Sequence, residues 1–171
     1  VRESTDGAIH DGHLRPGHMV SVDHFESRLK GRTYNAYNGL SSDKFVGGCI
    51  FVDSMSGLIH VEHQFGFSAP ETIRAKQNYE RMALDHGVLI NSYRADNGVF
   101  KANEFVVHVR EHNQKLSYCG VNAHHKNGAT ERAVRTVSEC ARALLLYAAC
   151  HWKGEVTSEL LPMAVDYAVY L

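Results

Sequence analysis

Phe45-Val-Gly-Gly-Cys-Ile-Phe-Val-Asp53-Ser-Met-Ser-Gly57-Leu-Ile-His-Val-Glu-His-Gln-Phe65 holds two apolar-rich runs, Phe45 to Val52 and Leu58 to Phe65, around a short polar segment ending in glycine. Runs rich in β-branched and aromatic residues, joined so tightly, predict an antiparallel hairpin. Upstream, Met19 to Phe25 alternates apolar and polar residues and adds a strand, so the front of the chain reads as a three-stranded meander. Residues 26–43, rich in Gly, Asn and Ser, predict a long loop or an extension of that first strand.

Beyond the hairpin the apolar period changes from two to about 3.6 residues. Ser68 ahead of Pro70 and Glu71 marks a helix start, and Ile73, Ala75, Tyr79, Met82 and Ala83 continue the pattern to Gly87. Val88 to Arg94 predicts a short strand ending at Asp96-Asn97-Gly98. Ala102 to His112 reads as a second helix, Lys115 to Cys119 as a fifth strand, and Gly120 to Gly128 as a polar loop. From Ala129 a long helix places Ala133, Val137, Cys140, Ala141, Leu144 and Ala148 on one face and Glu131, Arg135, Ser138 and Arg142 on the other. After a break at 152–159, Leu160 to Leu171 starts another apolar helix. This order predicts an α/β fold, a mixed five-stranded sheet flanked by helices.

With 171 residues, 44% apolar and 22% charged, the chain fits one domain with one substantial core. Residues 1–17 are polar and aperiodic and read as a linker or arm; 18–171 form the domain. His10, Asp11 and His13 in that arm are too few for a zinc site. No stretch approaches the ~18 consecutive apolar residues of a membrane span, and no signal peptide is evident. Cys49, Cys119, Cys140 and Cys150 are widely spaced among mostly apolar neighbours, which suits reduced core thiols in a reducing, intracellular compartment. A net charge of −1 argues against general coating of a polyanion. Locally the balance reverses: between Arg110 and Arg142 six Lys/Arg face three acids. The chain starts at Val1 and stops inside an apolar helical pattern, so it reads as a fragment of something longer.

Three carboxylates stand in different settings. Asp23 lies inside a strand among Val20, Val22 and Phe25, where an acid is costly to bury unless paired or metal-bound, although an edge position facing water also accommodates it. Asp96 sits at the carboxyl end of a strand, where α/β sheets place ligand-binding groups, yet Asp-Asn-Gly also suits a tight turn. Glu131, in the first turn of its helix, also complements the helix dipole. Asp53 ends a strand too, but the next strand follows at once, so it reads as a hairpin residue.

Together these residues match a pattern. Tyr118-Cys-Gly-Val-Asn-Ala-His-His-Lys-Asn-Gly-Ala-Thr-Glu-Arg132, preceded by Tyr93-Arg-Ala-Asp-Asn-Gly-Val-Phe100 and Pro16-Gly-His-Met-Val-Ser-Val-Asp23 and followed by Ala141-Arg-Ala-Leu-Leu145, resembles Copia-type retrotransposon integrases. The resemblance extends from Arg15 to Leu171, and Asn-Gly-x-x-Glu-Arg after Asp-Asn-Gly is its most specific element. Within the wider integrase superfamily it implies a ribonuclease H-like fold and a D,D,E triad of Asp23, Asp96 and Glu131. Two Mg²⁺ ions, replaceable by Mn²⁺, would be shared with Asp23 as the bridge, and the activity would be 3′-end processing and strand transfer on DNA.

The resemblance also implies double-stranded DNA as partner, a homodimer or higher homo-oligomer, no membrane, and a life in a cytoplasmic particle and then the nucleus as part of a polyprotein. Lys126, Arg132 and Arg135 are candidate phosphate contacts, with a solvated face as the alternative; Arg135 could instead pair with Glu131 at i+4. Asn127 and Gly128 would shape the loop, and His124 and His125 would touch DNA or order that loop. Tyr118, Tyr147 and Trp152 read as packing groups, and the surplus of apolar residues in 144–150 and 160–171 as a dimer interface or ordinary core.

The interval from Asp96 to Glu131 holds 34 residues, slightly shorter than the commonest retroviral spacing, and the interval from Asp23 to Asp96 is longer. The zinc-binding His/His/Cys/Cys module and the basic C-terminal region of such proteins are not found, so no zinc is expected here. Two other readings keep part of the pattern: a ribonuclease H-like nuclease without strand transfer, and a catalytically silent DNA-binding or oligomerisation module.

Overall fold

The computed structural model describes residues 15–34, 43–118 and 128–171. Five strands, β1 (Val20–Arg32), β2 (Lys44–Asp53), β3 (Ile59–Gln64), β4 (Ser92–Ala95) and β5 (Lys115–Tyr118), form one sheet in the order β3-β2-β1-β4-β5. The meander pairs antiparallel, and β1–β4 and β4–β5 pair parallel. The mixed sheet expected from the sequence is therefore present. Four helices flank it: α1 (Ala69–Asp85), α2 (Asn103–Glu111), α3 (Gly128–His151) and α4 (Leu161–Tyr170).

β1 takes the strand-extension option, running to Arg32 with a register irregularity between Glu26 and Gly31. β4 is shorter and later than the apolar run Val88 to Arg94 suggested. Val88 to Asn91 lie outside the ladder, where the Asn91 N–H donates to the Gly17 carbonyl at 2.8 Å. Gly17 has φ +81°, and a Cβ there would come within 2.3 Å of the Leu89 carbonyl oxygen, so the contact requires glycine. It also donates its N–H to the buried Asp53 carboxylate, at 3.0 Å. Asp53 is a hairpin residue as read, and more: its carboxylate also accepts from the Ser56 N–H and hydroxyl, fastening the turn to the chain before β1.

Helices on both faces bury the central strands twice over, and β2 shows it: Cys49 and Phe51 face one core, Ile50 and Val52 the other. The first core gathers Val20, Val22, Tyr93, Ala95, Phe100 and Phe105 with Ala75 and Tyr79 of α1. Phe51 stacks on Tyr79, with ring centroids 4.5 Å apart and planes 6° from parallel. The second core sets Ile50, Val52 and Val61 against Ala133, Val137 and Ala141 of α3 and Ala164 and Val165 of α4. The outer end of α3 departs from expectation. Tyr147 and Trp152, read as packing groups, are 65% and 61% exposed, and Cys150 is an exposed thiol, because the sheet beneath α3 covers little beyond Leu145.

α4 is held by polar contacts as well. Asp166 accepts hydrogen bonds from Tyr34 (2.6 Å) and from Nε2 of His63 (2.8 Å), joining α4 to the sheet. Burial pushes the Asp166 carboxyl upward, but these two hydrogen bonds and the His63 charge outweigh it and hold it below its usual range.

Candidate metal centre

Alternation along β1 sends Val20 and Val22 into the α1/α2 core and Phe25 into the α3/α4 core, so Asp23 belongs to the α3/α4 face. On β4, Tyr93 and Ala95 point the other way, which puts Arg94, and Asp96 just past the strand, on that same α3/α4 face. Parallel pairing sets Val20 opposite Tyr93 and Ser21 opposite Arg94. Carried two residues on, that register sets Asp23, the fourth residue of β1, level with Asp96, which follows the carboxyl end of β4. Such strand ends are where open α/β sheets bind ligands.

Local hydrogen bonds fix both carboxylates. Asp23 Oδ1 accepts the His24 N–H at 2.8 Å, and Asp23 is half-buried. Asp96 is exposed, and its Oδ1 accepts the Gly98 N–H at 3.0 Å, closing the tight turn that Asp-Asn-Gly predicts. A Cβ on Gly98 would lie 3.2 Å from that oxygen, so glycine keeps the carboxylate uncrowded. The turn and the ligand position are compatible: one oxygen holds the turn and the other is available.

Glu131 occupies the first turn of α3 and is exposed, as are Arg132 and Arg135. Thr130 and Ala133 are buried, and at ~100° of rotation per residue Glu131 falls off that packed stripe. The i+4 ion pair between Glu131 and Arg135 does not form. Among the described residues no three His, Cys, Asp or Glu side chains gather closely enough to hold a metal ion. Strand register thus places Asp23 and Asp96 on neighbouring strands, and Glu131 lies exposed in the first turn of α3. His124, His125, Lys126 and Asn127 lie outside the described residues, as do His10, Asp11 and His13. Gly128 is the first residue of α3.

As to fit, Mg²⁺ takes hard oxygen ligands, keeps several waters, and is commonly held by one or two carboxylates. Asp23 supplies that donor type from β1 and Asp96 from the turn that follows β4. One residue was not singled out by sequence reasoning: His24, next to Asp23 and on the opposite face. Its ring stacks on Phe100 (4.6 Å, 17°), meets Phe67 edge-on (5.2 Å), and Nε2 lies 3.1 Å from Thr72 Oγ1. Burial lowers its pKa to about 4, against an upward pull from the Asp96 charge. The only signal for it in sequence is a histidine at a core-facing position of a strand.

The fold has parallels among solved structures. The chain aligns with the HTLV-2 integrase catalytic core domain in complex with magnesium, in its dimeric form, at a TM-score of 0.63 and 20% identity, over 92% of this chain and 86% of that one. The chain has the fold of retroviral integrase catalytic cores. The BIV integrase catalytic core domain matches at TM-score 0.59 and 15% identity, over 90% and 81% of the two chains. A chain of the simian T-cell lymphotropic virus intasome in complex with PP2A regulatory subunit B56 gamma matches at 0.61 and 16%, over 92% of this chain and 50% of that one. No protein-family model and no curated protein matches the sequence. With this fold assigned, the ribonuclease H-like topology expected from the resemblance is in place.

Proposed function

We infer that this chain is the catalytic core of a retrotransposon integrase of the Copia type, which trims and joins DNA ends. The observation that supports the reading is the β1–β4 register, which sets Asp23 level with Asp96 on the sheet face covered by α3, whose first turn carries Glu131. The likeness to integrase cores supports the same reading, and the HTLV-2 core is a complex with magnesium.

In this reading Asp23, Asp96 and Glu131 would hold two Mg²⁺ ions, or Mn²⁺ in their place. A bound ion of this kind lowers the pKa of a water or a DNA 3′-hydroxyl and stabilises the departing 3′-oxygen. The chain's own residues do the rest. The β1–β4 pairing fixes the separation of the two acids, and the Gly98 N–H orients Asp96. Arg132 and Arg135, exposed beside Glu131, with Lys126 and Asn127 before them, take backbone phosphates and set the register of the duplex. His124 and His125 contact DNA or order the loop ahead of α3. No covalent enzyme intermediate is involved: water cuts the element's ends, and the 3′-hydroxyl so freed attacks the target phosphodiester.

Exposed apolar side chains on the outer ends of α3 and α4, Leu146, Tyr147 and Trp152 with Tyr167, Tyr170 and Leu171, support assembly into a homodimer or larger homo-oligomer. Integration would follow passage from a cytoplasmic particle to the nucleus, within a polyprotein-derived enzyme. The test is a strand-transfer and nicking assay on short duplexes with Mg²⁺ or Mn²⁺. Joined products that disappear in Asp23→Asn and Glu131→Gln support the reading. Nicking without any joining favours a nuclease, and activity untouched by either substitution refutes the metal centre.

A further inference from the structure

His24 ties together three separate pieces of the chain around the candidate centre. Its own backbone N–H reaches the Asp23 carboxylate. Its ring lies flat on Phe100, which belongs to the 3₁₀ turn Val99–Lys101 that follows Asp96-Asn-Gly. Its Nε2 meets Thr72 of α1. The Thr72 hydroxyl donates its one proton to the Ser68 carbonyl at 2.9 Å, so its oxygen accepts from His24 and Nε2 is the nitrogen that carries hydrogen. Phe100 is fully buried, and Phe67 closes the edge of the ring. The imidazole is therefore held on one face, at one edge and at one nitrogen.

We propose that His24 is a positioning residue: by clamping the turn after Asp96 against β1 and α1, it holds Asp96 in register with Asp23 before any cation arrives. Its functional consequence rests on the metal-centre reading above. The physical case is that Asp96 itself is exposed and accepts a local hydrogen bond from the Gly98 N–H, so the placement of its oxygens depends on how firmly the following turn is anchored. The anchors of that turn include Phe100, the hydrogen bonds from Lys101 N–H to the Gly98 carbonyl and from Ala102 N–H to the Val99 carbonyl, and one from the Tyr118 hydroxyl of β5 to the Phe100 carbonyl at 3.0 Å. Partners that orient metal ligands from behind change metal affinity by about 10–100-fold when removed.

Two measurements on the isolated protein test this. The first needs no metal: amide exchange by NMR at Gly98 and Lys101, compared with Ile50 and Val61 in the β2–β3 ladder. His24→Leu is expected to speed exchange in the turn about 10-fold while the ladder is unchanged. His24→Phe, which keeps the stacked ring, is expected to restore most of the protection, and Thr72→Val to lose part of it. Exchange that is unchanged, or that rises equally everywhere, overturns the proposal, since the latter is the mark of ordinary core loss.

The second measurement is Mn²⁺ binding followed by electron paramagnetic resonance. About 10-fold weaker binding in His24→Leu, with recovery in His24→Phe, supports the proposal; wild-type affinity in both variants refutes it. A wild type that binds no Mn²⁺, in a protein whose turn still loosens selectively in His24→Leu, supports the clamp and refutes the metal-centre reading instead.

Discussion

Asp96→Asn separates charge from hydrogen bonding at the candidate centre. Asp96 Oδ1 accepts the Gly98 N–H at 3.0 Å, and an asparagine oxygen accepts the same bond, so the turn survives while one negative charge disappears. Neighbouring strands run ~4.8 Å apart, and two unit charges ~5 Å apart repel by ~0.8 kcal/mol in water and ~3 kcal/mol at an effective dielectric of ~20. Exposure of Asp96 places the value near the lower figure, about 1 kcal/mol. For a domain of this size that corresponds to a melting temperature ~2–4 °C higher. Mg²⁺ acts in the same direction on the wild type only: at a free concentration about ten times Kd it stabilises by RT ln 11, about 1.4 kcal/mol. Thermal unfolding with and without MgCl₂ therefore gives a crossed result. The variant melts above wild type without Mg²⁺ and no longer responds when Mg²⁺ is added. A variant that melts lower without the ion, or that keeps the full wild-type response, refutes the pairing of Asp23 and Asp96 in one cation site.

Glu131→Gln, at an exposed position without an ion pair, is expected to leave apo stability within about 0.5 kcal/mol of wild type while abolishing strand transfer, measured by urea unfolding and by joining of labelled duplexes. Phe51→Ala removes a ring 1% exposed and stacked on Tyr79, so urea unfolding should show a loss of about 3–5 kcal/mol. Asp166→Asn removes the charged acceptor of Tyr34 and His63; because Asp166 is 39% exposed, the loss should be only about 1 kcal/mol. Its depressed carboxyl pKa gives the sign of the pH effect. The stabilisation is complete above the ordinary value of 3.8 and fades as pH falls through the lower folded value, so acid titration of stability should show a wild-type loss below pH 4 that Asp166→Asn lacks. Identical acid limbs in the two proteins refute it.

Much of this was legible along the chain because it is local. The hairpin around Asp53, the proline and early acid that open α1, the Asp-Asn-Gly turn and the stripe Ala133, Val137, Ala141 each follow from a handful of neighbouring residues. The extent of β1 was ambiguous because its Gly- and polar-rich continuation carries no period, and pairing with β2 decided it. The exposure of Tyr147 and Trp152 was missed because apolar character does not say whether a helix outruns the sheet it covers.

The sequence by itself determined the order of strands and helices and which residue types stand at each end of them, since period and turn chemistry act over a few residues. Only the tertiary structure decided that β1, which carries Asp23, pairs with β4, which ends just before Asp96, because a parallel pairing has no local signature. The same holds for Glu131, whose outward rotation follows from the packing of Thr130 and Ala133, and for His24, whose partners Thr72 and Phe100 come from two other elements.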